Sequence, residues 1–437
     1  MSKLAPQALR EQANLSIVPI DYSWSFSDKT IKDTSYITHG YYTYPAKFIP
    51  QLAQRLIKEH SSVGDIVIDP FMGSGTTVVE AIVNNRIGIG TDINEIAYLL
   101  SKVKTTPIEN EELVKEYLNF EKDLPHRLNG RFDYFLNKAQ KYIPKNERIN
   151  YWFLPEQKDK LSIILAKILD IGTENVRNFY LITFAQILKS CSIWLQKSVK
   201  PTRDPKKKIY DPLTLFLQQS KKMIKKHYEF NKLLNNRTKQ NIDRFRTIQC
   251  GDSRNLPCKN GAATLIVTSP PYVTSYEYAD LHQLLSLWLG YLKDLPEFRK
   301  KFIGSSYKDR DNINLQSKIA TDIVESLGKN KKGREVKNYF ADMLETFAET
   351  KRVLKKGGRA AFVIGNTEFN GVEILNAEVF QEQFENIGFK TYNVIKREIP
   401  SKMLPSTRDP ETGRFGKASD KNTKLAYPTE YILIMEK

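Results

Sequence analysis

Apolar positions along the chain form two blocks of short alternating runs, and a long block of helical spacing separates them. In the first block, about 36–101, Phe48, Leu52, Leu56 and Ile57 share one face at helical spacing, which predicts a helix over 46–60. DIVID at 65–69 reads as a short strand, 73–85 as a helix and IGIGTD at 87–92 as a second strand. From about 105 to 244 the spacing stays helical, and the stretch 179–195 is apolar on nearly every face, as in a buried helix. The second alternating block begins near 245, with strands at 246–251, 264–268 and 358–365. Helices are expected at 281–292, at 339–354 and over most of 372–388. A strand pair at 389–399 and 429–435 closes the chain. Such βα alternation predicts an α/β fold, a doubly wound, mostly parallel sheet of about seven strands covered by helices on both faces. Three regions follow: a first half of the core at 1–104, a helical insertion at 105–244, and a second half at 245–437. The polar, glycine-punctuated stretch 302–337 reads as a mobile loop.

Composition changes the picture mainly through charge. The 437 residues carry a net +17, and 197–246 alone holds fifteen Lys or Arg against four Asp or Glu. A basic surface so concentrated fits a polyanion, because each cation near a phosphate releases condensed counterions. Lys206, Lys207, Lys208, Lys221, Lys222, Lys225 and Lys226 are the candidate phosphate contacts, with a solvated helical face as the alternative. Three separated cysteines and five histidines show no metal-ligand spacing, so no metal is expected. The first residues lack the apolar core of a signal peptide, and no long apolar run suggests a membrane span. A cytoplasmic protein is expected.

Asp69-Pro70-Phe71-Met72-Gly73-Ser74-Gly75-Thr76-Thr77 follows a strand and opens a helix. Gly73 and Gly75 allow a tight turn and a close backbone approach to a ligand. Asp92, at the end of the next strand, can accept from two ribose hydroxyls. The loop lacks the lysine of a phosphate-binding loop and the third glycine of the dinucleotide fingerprint. An acid at Asp69 suits a cationic ligand group better than a pyrophosphate. A nucleoside bearing a sulfonium or ammonium, namely S-adenosylmethionine, is the expected ligand.

The apolar strand at 264–268 ends in Ser269-Pro270-Pro271-Tyr272. The two prolines enforce a rigid, extended exit that carries no amide donors at those positions. An exocyclic base amine is a poor nucleophile because its lone pair is delocalised. Hydrogen bonds from its protons to Ser269 Oγ and the Pro270 carbonyl would favour a pyramidal nitrogen. Tyr272 would stack on a flipped base. A simple proline strand stop is the alternative. His39, Tyr276, Tyr278 and Asp280 are further candidates for lining a pocket.

DPFMGSGTT and TSPPY together resemble the amino-methyltransferases of bacterial restriction–modification systems, over roughly 36–101 and 245–437. The resemblance implies a Rossmann-like seven-stranded sheet and a DNA methyltransferase with double-stranded DNA as substrate. It also raises a cognate restriction endonuclease as a partner. It assigns cofactor contacts to Lys47 and Phe48 in the YPAKF motif, to Asp69, Pro70, Phe71, Gly73, Gly75 and Thr76, to Asp92 and Ile93, and to Asp252 and Ser253. Catalysis falls to Ser269, Pro270, Pro271 and Tyr272. In that family the serine form of the tetrapeptide is commoner in enzymes that methylate the 4-amino group of cytosine. N6-adenine methylation and RNA base-amine methylation stay open, as does a non-catalytic DNA-binding relative. Cofactor motifs precede the catalytic one, an order that places target recognition in the basic insertion.

Overall fold

A computed structural model describes residues 15–44, 47–124, 132–198, 201–273, 282–291, 295–305, 313–369, 371–400 and 428–437, with the pairs 407–408, 415–416 and 424–425. Seven strands form the main sheet: β1 (Ile66–Asp69), β2 (Ile87–Asp92), β3 (Arg246–Cys250), β4 (Ala263–Thr268), β5 (Leu354–Ile364), β6 (Lys390–Glu398) and β7 (Thr429–Glu436). Their order is β3-β2-β1-β4-β5-β7-β6, and only β7 runs antiparallel to its neighbours. The sheet is therefore Rossmann-like and mostly parallel. Progress along the sheet reverses between β1 and β4, which pair in register at Val67–Leu265 and Ile68–Ile266. In such sheets a ligand crevice opens outside the carboxyl ends of the strands at this reversal.

The inner strands β1, β4 and β7 read as apolar runs because both their faces are covered. Val67, Leu265, Val267, Ala361 and Val363 point to one side, where helix α1 (Pro50–His60) buries Leu52, Ala53, Leu56 and Ile57. Ile68, Ile266, Ala360 and Phe362 point to the other. There Phe347 of one helix stacks on Phe384 of the next, with ring centres 3.9 Å apart. Helix α2 (Thr76–Val83) joins β1 to β2, and α3 (Glu95–Thr105) follows β2.

Between α3 and β3 the chain is helical. Its longer members are α4 (Asn110–Asp123), α5 (Pro155–Leu169), α6 (Glu174–Leu188) and α7 (Pro212–Leu233). They share an aromatic core that includes Trp152 stacked on Trp194 at 5.1 Å, and that core continues into Ile96, Leu99 and Leu100 of α3. The insertion is thus packed onto the sheet's own helical layer.

One sequence expectation needs correction. The stretch 302–337 is not simply a loop, since its described part holds α8 (Lys318–Leu327) and the start of α9 (Lys331–Val353). Ile319, Ile323 and Leu327 form a one-sided apolar stripe there, which the many surrounding charges obscured. The helix expected over most of 372–388 is present as α10 (Asn376–Asn386), preceded by a hairpin that pairs Thr367–Phe369 with Val372–Ile374.

Gly75 shows how tightly the first βα turn is packed. Its φ is +74°, and a Cβ there would lie 2.7 Å from Ser101 Oγ on α3. Gly75→Ala should lower stability by about 1–3 kcal/mol through backbone strain and overpacking, read as a lower urea midpoint with an unchanged slope.

Candidate active site

The glycine loop is built by donors from α3 and from its own turn. Gly75 N–H donates to the Met72 carbonyl, and Met72 N–H donates to Thr91. Ser101 Oγ donates to the Gly73 carbonyl at 3.0 Å, and the buried Lys104 ammonium donates to the Ser74 carbonyl. Gly73 N–H points instead to Asp92 Oδ2 at 2.9 Å, while Asp92 Oδ1 accepts Asn94 N–H. Burial pushes the Asp92 carboxyl up to about 6. Each of its oxygens keeps a further lone pair, as two ribose hydroxyls require.

Asp69 joins the two halves of the site. It is almost fully buried, and its Oδ1 accepts Thr268 Oγ1 at 2.6 Å and Phe71 N–H at 3.1 Å. Desolvation raises its carboxyl to about 7 against the opposing pull of those bonds. Thr77 Oγ1 adds a bond to the Val267 carbonyl at 3.0 Å. The cofactor loop and the end of β4 are therefore tied side by side.

These elements enclose a cleft of about 860 Å³, its mouth included. Lys47, Phe48, Asp69, Pro70, Phe71, Gly73, Thr76, Asp92, Ile93, Asp252, Ser253, Ser269 and Pro271 all line it. Gly75, Pro270 and Tyr272 lie outside that lining. Gly75 serves helix packing, as described above. Tyr272 rests beside Gly365 and donates its hydroxyl to Glu430 Oε2 at 3.1 Å. Arg397 holds the other Glu430 oxygen at 2.6 Å. Pro45 and Ala46 of the YPAKF motif, and Tyr276, Tyr278 and Asp280, fall outside the described residues.

One placement differs from expectation. His39 does not line the cleft; it is buried against Glu80 at 2.8 Å, and its backbone carbonyl accepts the Lys47 ammonium. Burial lowers the Lys47 ammonium to about 8. The Ser253 hydroxyl lies 3.1 Å from that of Thr346 at the cleft's edge. Asp252 pairs with Arg254 at 2.6 Å. Lys301, Phe302 and Ile303 also line the cleft and were missed, because their stretch carries neither motif nor periodicity. Among the described residues no His/Cys/Asp/Glu cluster could hold a metal, and no helix is long and apolar enough to cross a membrane.

The basic run divides in two. Lys207 donates to the carbonyls of Lys189 and Trp194, and burial lowers its ammonium to about 8. Lys226 donates to the Ser35 carbonyl and is half-buried. Both act as structural ties within the fold, a correction to their expected place among phosphate contacts. Lys221 sits beside Glu121 and the Tyr117 ring, while Lys206, Lys208, Lys222 and Lys225 are exposed.

A cleft at the reversal point of the sheet, with a glycine loop on one wall and a Ser-Pro-Pro-Tyr strand end on another, is the arrangement expected of the class of base-amine methyltransferases. Comparison with known proteins carries this further. The DNA methylase family profile matches residues 5–102 and 263–437, and the chain belongs to this family of N4-cytosine and N6-adenine DNA methyltransferases. It is 27% identical to the Type II methyltransferase M.MvaI of Kocuria varians, over 92% of each chain. M.MjaII of Methanocaldococcus jannaschii is 23% identical over 87% of this chain and 80% of its own. M.BsoBI of Geobacillus stearothermophilus is 24% identical over 87% and 83%.

Two lysine variants separate structure from binding. Lys207→Ala removes the donor to the Trp194 carbonyl and one of the donors to the Lys189 carbonyl, which keeps those from Ser192. It should cost about 1–3 kcal/mol, seen as a lower melting temperature. Lys206→Ala with Lys208→Ala should leave melting unchanged and flatten the salt dependence of DNA binding, by about 0.9 in log–log slope for each phosphate no longer neutralised.

Proposed function

We propose that this chain is a site-specific DNA methyltransferase that transfers a methyl group from S-adenosylmethionine to the 4-amino group of cytosine. The observation that carries the reading is that Ser269, at the end of β4, lines the same cleft as Asp69 and Asp92 at the ends of β1 and β2. The cleft's chemistry fits the cofactor. Asp92 offers acceptors for ribose hydroxyls, Ile93 and Phe71 offer apolar walls, and the carboxyl of Asp69 favours a cation. S-adenosylmethionine, when bound, supplies a methyl group already activated on a sulfonium, so the protein needs no metal and no strong base.

The protein's own contribution is orientation. Ser269 Oγ and the Pro270 carbonyl accept the two protons of the target amine, which localises its lone pair toward the methyl carbon. Tyr272 stacks on the flipped base. Serine, where adenine enzymes of the family more often carry Asp or Asn, favours cytosine. The exposed lysines of the insertion make phosphate contacts, and the insertion reads the target sequence. Similarity to Type II methyltransferases supports a place in a restriction–modification system, with an endonuclease of the same specificity as its counterpart.

Incubating the protein with unmethylated genomic DNA and labelled cofactor, then digesting to nucleosides for mass spectrometry, tests the assignment. N4-methylcytosine is expected; N6-methyladenine instead would refute the base and keep the chemistry. Ser269→Ala and Tyr272→Ala should abolish transfer while cofactor affinity holds, and Asp92→Ala should weaken cofactor binding.

Cofactor affinity should also depend on pH. Both carboxyls are raised by burial, to about 7 at Asp69 and about 6 at Asp92, and both act as anions toward the ligand. Binding is therefore strongest above both values and weakens as protons add on the way down. Calorimetric titration from pH 8 to 5 should show this fall, and in Asp69→Asn only the step near 6 should remain.

A further inference from the structure

One face of α9 lies behind the cleft and bonds to the segments that wall it, through residues that no motif includes. Asn338 Nδ2 donates to the Ser305 carbonyl at 2.9 Å. Asp342, fully buried, accepts Gly304 N–H at 2.9 Å and Arg254 Nη1 at 2.8 Å. Through these bonds the helix braces the wall formed by Lys301, Phe302 and Ile303, and the loop after β3. Tyr339, on the same face, reaches the other side of the site. Its hydroxyl donates to the Pro271 carbonyl at 2.8 Å. Its Cβ lies where a side chain on Gly304 would have to go, 2.9 Å from the position of a Cβ there, and Gly304 has a φ of +72°.

We propose that Tyr339 is a positioning residue for methyl transfer, which holds the Ser-Pro-Pro-Tyr turn in place against the cofactor wall. The inference rests on the reading of 269–272 as the catalytic turn. Its physical basis is the pair of prolines. Pro270 and Pro271 have no N–H, so at these positions the turn can be tied only through carbonyls and side chains. Tyr339 supplies such a tie from a rigid base: its ring is 2% exposed and packs against Phe340 at 5.4 Å and Phe380 at 6.2 Å. A hydroxyl so fixed sets where the Pro271 carbonyl lies, and with it the adjoining Pro270 carbonyl and Ser269. Asp342 sets the opposing wall from one helical turn away. The helix thereby fixes the distance between the acceptors for the base amine and the site of the methyl donor.

A simpler alternative is that the Tyr339 hydroxyl only satisfies its own buried polar atom. The two readings separate in single-turnover transfer, with enzyme in excess over unmethylated genomic DNA and saturating labelled cofactor. Tyr339→Phe keeps the ring and removes the tie. Its transfer rate should fall about tenfold or more, since a misplacement near 1 Å can cost about a hundredfold and a smaller shift correspondingly less. Its cofactor Kd by calorimetry and its melting temperature should stay near wild type. Asp342→Asn should show the opposite split, with weaker cofactor binding and a near-normal rate at saturation.

A wild-type rate in Tyr339→Phe would overturn the proposal. So would a parallel loss of rate and cofactor affinity in both variants, which would make α9 mere scaffolding. Ser269→Ala in the same assay keeps the underlying reading separate. If it transfers at full rate, the turn is not catalytic and both readings fall; if it is inactive while Tyr339→Phe is not, only this inference falls. Transfer to adenine would refute the base assignment and leave the contrast between the variants intact.

Discussion

The site exists because β1 and β4 lie side by side although 199 residues separate Asp69 from Thr268. Parallel pairing aligns their carboxyl ends, and the bond from Thr268 to Asp69 locks the two exits together. Burying a carboxyl there is costly, as its raised pKa shows, and donors from Thr268 and Phe71 offset the cost. One strand end then delivers the glycine loop and the other delivers the serine–proline turn. Any displacement of one strand against the other would move the glycine loop and the serine–proline turn apart.

The insertion is built on a different principle. The segments matched to the DNA methylase family flank it, and its helices carry a core of their own that grows out of α3. Its basic residues are not uniform in role. Lys207 and Lys226 are committed to backbone carbonyls, and their lowered pKa values report the burial that accompanies those bonds. The exposed lysines around them stay open to a polyanion. Net charge along a sequence therefore overstates the surface that a nucleic acid would meet.

Much of the fold was legible in the sequence because its signals are local. DIVID, IGIGTD and the apolar run before Ser269 are short and continuous, as strands buried on both faces must be, and Gly64 and Pro70 bound the first of them. The glycine loop and Asp92 could be paired from spacing alone. Three things could not. The structural use of Asp69 depends on Thr268, far away in the chain. The wall at 301–303 has no periodicity, and α8 hid its stripe of Ile319, Ile323 and Leu327 among charges. The partnerships of His39 with Glu80 and of Tyr272 with Glu430 are purely tertiary, and composition gives no sign of them.

If one cleft holds the methyl donor against the Ser269 turn, a crystal structure with S-adenosylhomocysteine bound should show the ribose hydroxyls on Asp92, the adenine between Ile93 and the 301–303 wall, and the sulfur directed toward Ser269. A ligand bound elsewhere, or one whose sulfur points away from Ser269, would contradict it.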